Sequence, residues 1–259
     1  MNHFRILYKY LCHFFTARNT GGYGVHSPFL FQFTRFVLKE KHAFYSFHSI
    51  ENLRSALRKD NRIVHIADFG TGSDRTETIS QIIGNAVQSP KYGQLLFRMV
   101  HYFKAQEILE LGTSLGITTA YLASVSSDNV CVSLEGSPEI ATVAKENLRK
   151  LKLSNVEVVV GDIDTTLLNV LNKTEKLDFV YFDANHRSEA VLSYFEQCLP
   201  KAHRETVMVF DDIYWSADME HAWREIKKHP QVNSTIDLFQ LGIVFFNDDL
   251  HKKHYKMRY

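Results

Sequence analysis

An α/β fold with a doubly wound, mainly parallel sheet of seven strands and a closing antiparallel hairpin is predicted by three observations. From Glu107 onward, short apolar runs alternate with amphipathic helical patterns, the signature of βαβ units and a parallel sheet. Acidic or glycine residues stand just after one strand after another, where open parallel sheets place their chemistry. Near the C-terminus, Thr235–Phe239 and Ile243–Phe246 flank a short turn containing Gly242. Two strands that close can pair only antiparallel. A mainly helical extension over residues 1–88 precedes this domain, which is assigned residues 89–259.

The elements follow in order. From His3 to Thr16, Phe4, Leu7, Leu11 and Phe14 recur at helical spacing, while Arg5, Lys9 and His13 line another face. This reads as a helix packed on the domain or on a second subunit, with a basic amphipathic helix on a membrane surface as the alternative. Gly21-Gly-Tyr-Gly24 is a break. His26-Ser-Pro-Phe29 opens an aromatic-rich helix to about Lys41, and a further helix is expected over Ser46–Asp60. Arg62–Ala67 reads as a short strand running into Asp68-Phe-Gly-Thr-Gly-Ser73. That segment imitates a nucleotide turn, but no strand with an acidic end follows it, so it is read as a structural turn or part of a lid. Asp74 and Glu77 resemble a capping box ahead of the stripe Ile79, Ile82, Ile83 and Val87. Ser89-Pro-Lys-Tyr-Gly-Gln94 opens the next helix. Strands are expected at Glu107–Leu111, Val130–Leu134, Val156–Val160, Leu177–Phe182 and Thr206–Phe210. Ser137 and Pro138 suit the N-cap and first helical position of the helix after the second of these.

Composition sets outer bounds. The chain has 259 residues, 45% of them hydrophobic, enough for one domain of about 200 residues plus an extension. A net charge of +1 supplies no overall field for nucleic acid, which is therefore not expected as a partner. Cys12, Cys131 and Cys198 are far apart and form no C-x-x-C pair, which fits a reducing, cytoplasmic setting without a disulfide framework. Lys9 and His13 interrupt the N-terminal apolar residues, so no signal peptide is read there, and no apolar run is long enough for a transmembrane segment.

The chemistry concentrates in Glu107-Ile-Leu-Glu-Leu-Gly-Thr-Ser-Leu-Gly116. A turn that cradles a pyrophosphate offers backbone N–H groups and a helix N-terminus to negative charge. Glu110, just before this turn, would repel such a ligand. A carboxylate suits a cationic one, and S-adenosylmethionine carries both an ammonium and a sulfonium. The spacing is E-x-G-x-x-x-G, unlike the G-x-G-x-x-G of NAD enzymes, and an NAD-dependent oxidoreductase is disfavoured.

Taken together, the chain resembles class I S-adenosylmethionine-dependent methyltransferases with a Rossmann-like sheet, closest to the catechol and caffeoyl-CoA type of O-methyltransferase. The resemblance covers roughly Ser89 to Asn247. It rests on Lys91-Tyr-Gly-Gln-Leu95, the Glu110–Gly116 turn, Glu135, Gly161-Asp162, Asp183 and Asp211-Asp212. It implies that Gly112, Thr113, Ser114 and Gly116 approach the methionine part of the cofactor and that Glu110 binds its ammonium. Glu135, followed by Gly136, would accept the ribose hydroxyls, Asp162 the adenine amino group, and Gly93 and Gln94 would close over the cofactor. Asp183 is expected to serve both cofactor and catalysis.

Asp183, Asp211 and Asp212 form a second constellation. Carboxylates this close repel unless positive charge sits among them, and hard oxygen donors suit Mg²⁺ or another divalent cation. The family commonly has Asn where this chain has Asp212. His186 occupies the place of a family lysine; it is read as a general base or, alternatively, as a cap on the helix beginning near Ser188. Tyr214 and Trp215 are candidate walls for a small-molecule acceptor, or ordinary core aromatics. The expected function is divalent-cation-assisted O-methylation of a small-molecule hydroxyl. A methyltransferase acting on RNA, protein or a nitrogen, and a non-catalytic module binding an adenosyl ligand, are the alternatives. A homodimer is compatible with the aromatic N-terminus.

Overall fold

A computed structural model of the chain describes residues 3–20, 27–67 and 75–259. The breaks at Gly21–Gly24 and Asp68–Ser73, with His26 and Asp74, lie outside the described residues. The chain forms two compact units, one of residues 41–175 and one of residues 1–40 with 176–259. Residues 1–88 thus contribute to both. Among the described residues no helix is long and apolar enough to cross a membrane.

The 41–175 unit opens with α3 (Tyr45–Leu57), followed by β1 (Ile63–Ile66), β2 (Arg75–Thr78) and α4 (Ile79–Asn85). Here the structure corrects the sequence reading. Residues 75–78 form an antiparallel ribbon with 63–66, so Glu77 lies in a strand and caps nothing. The capping box is made four residues later: Thr78 accepts from the Gln81 N–H while the Gln81 side chain accepts from the Thr78 N–H. Next come α5 (Pro90–Phe103), β3 (Glu107–Leu111), α6 (Ile117–Ala123), β4 (Val130–Glu135), α7 (Pro138–Lys150), β5 (Val156–Val160) and α8 (Ile163–Lys173). Strands β3, β4 and β5 pair in parallel in that order. Within β3, Ile108 through Leu111 are all buried, as befits a strand covered on both faces. Ile140, Val143, Ala144 and Leu148 form the buried stripe of α7. Ser137 holds the N-cap position with Pro138 behind it, but its hydroxyl donates to the His65 carbonyl at 3.1 Å and ties α7 to β1.

The other unit begins with α1 (His3–Thr16), α2 (Pro28–Phe33) and a π-helical turn at Thr34–Leu38. Ser27 caps α2, with Pro28 at its first position. It resumes with β6 (Leu177–Phe182), α9 (Ser188–Cys198), a 3₁₀ turn (Leu199–Lys201), β7 (Ala202–Phe210), α10 (Ala217–Lys228), β8 (Ser234–Asp237), β9 (Gly242–Phe245) and β10 (Lys253–Lys256). Strand β6 pairs with β7 in parallel; β7 with β9 and β9 with β8 are antiparallel, which is the expected hairpin. Strand β10 then adds to β8 in parallel. It escapes the sequence reading because Lys-His-Tyr-Lys has no apolar alternation; its Tyr255 is buried, with Met257 just beyond. The core of this unit is aromatic: Phe182 stacks on Phe210 at 4.3 Å, and Phe195 and Trp223 close around Phe210.

One close approach fixes α5 against α6. A Cβ built at Gly93 would sit 2.5 Å from the Tyr121 ring. That ring is fully buried, and its hydroxyl donates to Glu51 at 2.7 Å, so it has little room to retreat. Gly93→Ala is expected to destabilise the protein by about 1–3 kcal/mol. Urea denaturation should show a lower midpoint at unchanged slope; an unchanged midpoint would mean the helices separate freely.

Candidate active site

In parallel strands, register decides which side chains meet. Glu110 lies opposite Ser133, and Leu111 opposite Leu134. Leaving β3, the chain turns through Gly112 (φ 102°), Ser114 (φ 48°) and Gly116 (φ 76°), the left-handed region where glycine carries no steric penalty. The N–H groups of Gly112 and Thr113 both donate to the Leu134 carbonyl, at 3.0 and 3.1 Å, so the turn is pinned to β4. Thr113 and Ser133 hydroxyls meet at 2.6 Å. Gly116 occupies the N-cap position of α6.

Glu110 is completely buried. Its Oε2 accepts from the Ser133 hydroxyl at 2.6 Å and from the Thr119 hydroxyl. Its buried Oε1 has no hydrogen-bond partner. Burial pushes the carboxyl up to about 8; the two hydroxyls pull it back down, and the charge of Glu135 adds to the rise. An orphaned carboxyl oxygen in a dry site is costly, and a hydrogen-bond donor, a cationic one most of all, would relieve it.

Glu135 ends β4. Its two oxygens accept from the N–H groups of Ser114 (2.8 Å) and Ser137 (2.9 Å), so it spans both turns and leaves Gly136 between them. Burial raises its pKa, and the Ser137, Ser114 and Gly136 N–H groups act the other way. Asp162 stands after Gly161 (φ 140°) at the N-cap of α8, where it accepts from the Asp164 N–H at 3.0 Å. Gly93 and Gln94 lie in the first turns of α5, Gly93 facing Tyr121.

The second constellation belongs to the other unit. Phe182 and Phe210 are register partners in β6 and β7, and the Asp211 N–H donates to the Phe182 carbonyl at 2.9 Å. Asp183 and Asp211 therefore leave adjacent parallel strands side by side. Asp211 is buried and accepts from the Tyr181 hydroxyl at 2.9 Å and from the Asp212 N–H at 2.9 Å. Burial, then the charge of Asp212, pushes its carboxyl up to about 8, opposed by its hydrogen bonds to Tyr181, the Asp212 N–H and Asp183. The same Tyr181 hydroxyl lies 3.4 Å from Asp183. Asp212 has φ 53°; burial raises its pKa, and His186 counteracts the rise. His186 Nε2 stands 3.9 Å from Asp183 and 4.0 Å from Asp212. Arg187, not His186, holds the N-cap position of α9.

An all-oxygen, acid-rich donor set with two carboxyls destabilised by burial fits a hard divalent cation in charge and ligand type. Among the described residues, no three His, Cys, Asp or Glu groups gather tightly enough to hold one as they stand. Asp212 also borders a cavity of about 420 Å³ lined by Leu7, Tyr10, Tyr214, Trp215 and Phe239. Tyr214 stacks on Phe239 at 5.3 Å and donates to Asp237 at 2.6 Å, while Trp215 is half exposed.

Sequence reasoning missed Thr119, Ser133 and Tyr181. Tyr181 is two residues before Asp183 and so shares its strand face, a signal that was available. Ser133 depends on the β3–β4 register, which the sequence does not display.

The raised pKa of Glu110 gives a pH prediction. Between the unfolded value near 4.5 and the folded value of about 8, the folded state keeps a proton that the unfolded state has lost. Stability must therefore fall as pH rises through that window. Without ligand, Glu110→Gln should be more stable than the native chain at pH 8, by up to a few kcal/mol, with a shallower loss of Tm from pH 5 to 8; Asp211 supplies part of the remaining slope. Identical slopes for the two proteins would remove the claim.

Residues 109–213 match the family model described as a methyltransferase domain. The catechol O-methyltransferase of Mycobacterium tuberculosis is 31% identical over 127 residues, 48% of this chain and 56% of that protein. Protein-L-isoaspartate O-methyltransferase 1 of Archaeoglobus fulgidus is 34% identical over 80 residues, 30% of this chain and 37% of that protein. The chain thus spans about half or less of the length of these curated relatives. The O-methyltransferase of Bacillus cereus, solved with S-adenosylhomocysteine, superposes with a TM-score of 0.57 at 23% identity, covering 83% of this chain and 96% of that one. That likeness is one of fold. The matched span opens just before the Glu110 turn and closes just after the Asp211-Asp212 pair, so over these residues the chain is similar to the methyltransferase domain family.

Proposed function

We propose that the protein is an S-adenosylmethionine-dependent O-methyltransferase acting on the hydroxyl of a small molecule, with assistance from a divalent cation. The observation that carries this reading is the buried Glu110 carboxyl, with one oxygen lacking a hydrogen-bond partner, at the start of an E-x-G-x-x-x-G turn. Glu110 would receive the cofactor's ammonium, and Gly112, Thr113, Ser114 and Gly116 would let the backbone approach the methionine chain. Glu135 would hold the ribose hydroxyls, which requires it to share or exchange its present N–H donors. Asp162, with Gly161 and its cap on α8, would meet the adenine edge. Gly93 and Gln94, with Asp183, complete the proposed cofactor set.

The cofactor supplies an electrophilic methyl on a sulfonium, and the cation lowers the pKa of the acceptor hydroxyl. This chain's own residues would do the rest. Asp183, Asp211 and Asp212 would hold the cation, which would in turn relieve the strain of two carboxyls pushed upward by burial. His186, about 4 Å from two of them, would take the acceptor's proton as the oxygen bonds to the methyl carbon and the C–S bond breaks. Tyr214 and Trp215 would form the acceptor wall, and alignment would contribute much of the rate. The segment up to residue 88 is proposed as an extension that shapes the acceptor side, in a cytoplasmic protein.

Two measurements test this. Calorimetric titration with S-adenosylhomocysteine should give a Kd near micromolar, about −8 kcal/mol, with no heat from NAD; folded, ligand-free protein that binds neither would overturn the reading. Asp211→Ala should lose at least about 100-fold in methyl transfer to a catechol probe with Mg²⁺, while binding S-adenosylhomocysteine within a few-fold of the native protein. Full transfer by that variant, or in excess chelator, would eliminate the cation.

A further inference from the structure

Helix α1 is packed the opposite way round from the usual amphipathic helix. Its polar residues face the protein. Arg5 and Lys9 each donate to Glu220 at 2.8 Å, Arg5 also reaches the Tyr214 carbonyl at 3.0 Å, and His13 is buried with Nε2 3.1 Å from Asp237. Its large apolar residues face solvent: Phe4 is 80% exposed, Tyr8 59%, Leu11 45% and Phe15 75%. The sequence pattern favours an apolar stripe packed on the domain or on a second subunit, with a membrane surface as the alternative. Glu220 and Asp237 reverse the choice, because they offer the basic face charged partners. The spacing 4, 8, 11, 15 places the four exposed residues in one line along the helix.

Two aromatics of the next N-terminal segment are exposed as well. Phe31 and Phe36 are 47% and 51% exposed. The two N-terminal segments flank the same C-terminal residues: the Arg258 guanidinium lies 3.9 Å over Phe14 and donates to its carbonyl, and Thr34 meets the Met257 sulfur at 3.7 Å. Apart from Glu220 and Asp237 beneath α1, the segments that form this face carry basic residues. Arg5, Lys9, Arg18, Arg35 and Lys39 are the charged side chains of residues 1–39, with no Asp or Glu, and residues 250–259 carry Lys252, Lys253, Lys256 and Arg258, again with no acid. Exposed aromatic patches of this kind on a folded protein mark a binding surface.

We infer that this aromatic, basic face docks on an anionic lipid bilayer, with α1 lying in the plane of the interface. Phenylalanine, tyrosine and leucine suit the headgroup boundary, and the flanking cations suit anionic headgroups. A second copy of the chain fits less well, because apposing two such faces would bring Arg18, Arg35 and Arg258 of each against the other with no acid from these segments between them. The binding is peripheral, since no described helix is long and apolar enough to span, and it stands apart from the methyl-transfer reading.

The experiment is sedimentation of the full chain with vesicles. With about one-third phosphatidylserine in phosphatidylcholine at low salt, most of the protein should pellet; with pure phosphatidylcholine, or at 0.5 M salt, several-fold less should. The double variant Phe4→Ser, Phe15→Ser alters only exposed side chains, so it should keep its thermal midpoint and lose at least about tenfold in partitioning. No pelleting of the native chain with either vesicle would overturn the inference, as would full pelleting of the variant. Light scattering that shows a native dimer, converted to monomer by the same variant, would assign the face to a second copy.

Discussion

Carboxylates that parallel strands deliver into dry surroundings constrain nearly everything in the candidate site. A parallel ladder aligns the carboxyl ends of its strands, so whatever follows β3 and β4, or β6 and β7, arrives together. Here acids arrive: Glu110 opposite Ser133, and Asp183 beside Asp211. Each is partly satisfied by hydroxyls and N–H groups, and Glu110 and Asp211 are driven toward their neutral forms by burial. A fold selected for stability alone would gain by replacing them. Their hydrogen-bonded frames hold them in place despite that cost.

The frames are built from ordinary parts. Ser133 and Thr119 come from a strand and a helix that meet because α6 starts at Gly116, where the chain can turn with φ positive. Tyr181 serves two aspartates from one strand face. These partners fix where each carboxylate points.

In the other unit, the same electrostatic logic places α1. Glu220 and Asp237 draw Arg5, Lys9 and His13 inward. Leu7 and Tyr10 are thereby left lining a cavity beside Asp212, and Phe4, Tyr8, Leu11 and Phe15 turn outward. One helix thus borders a candidate acceptor cavity and presents an aromatic surface.

The alternation of β3 through β7, the closing hairpin and the acids at the strand ends were legible in the sequence, because each is set by local periodicity and by residue type. The ribbon of β1 and β2 was not: Arg-Thr-Glu-Thr reads as a helix entrance until a strand pairs with it. Strand β10 was hidden for the same reason, since its register partner is β8 and its own pattern is polar. The sequence by itself determined that acids and glycines stand at the ends of the parallel strands. Only the tertiary structure decided that Ser133 faces Glu110, that Tyr181 bridges two aspartates, and that the apolar stripe of α1 looks outward. Those outcomes depend on strand register and on charge partners more than two hundred positions away along the chain, and no local pattern encodes either.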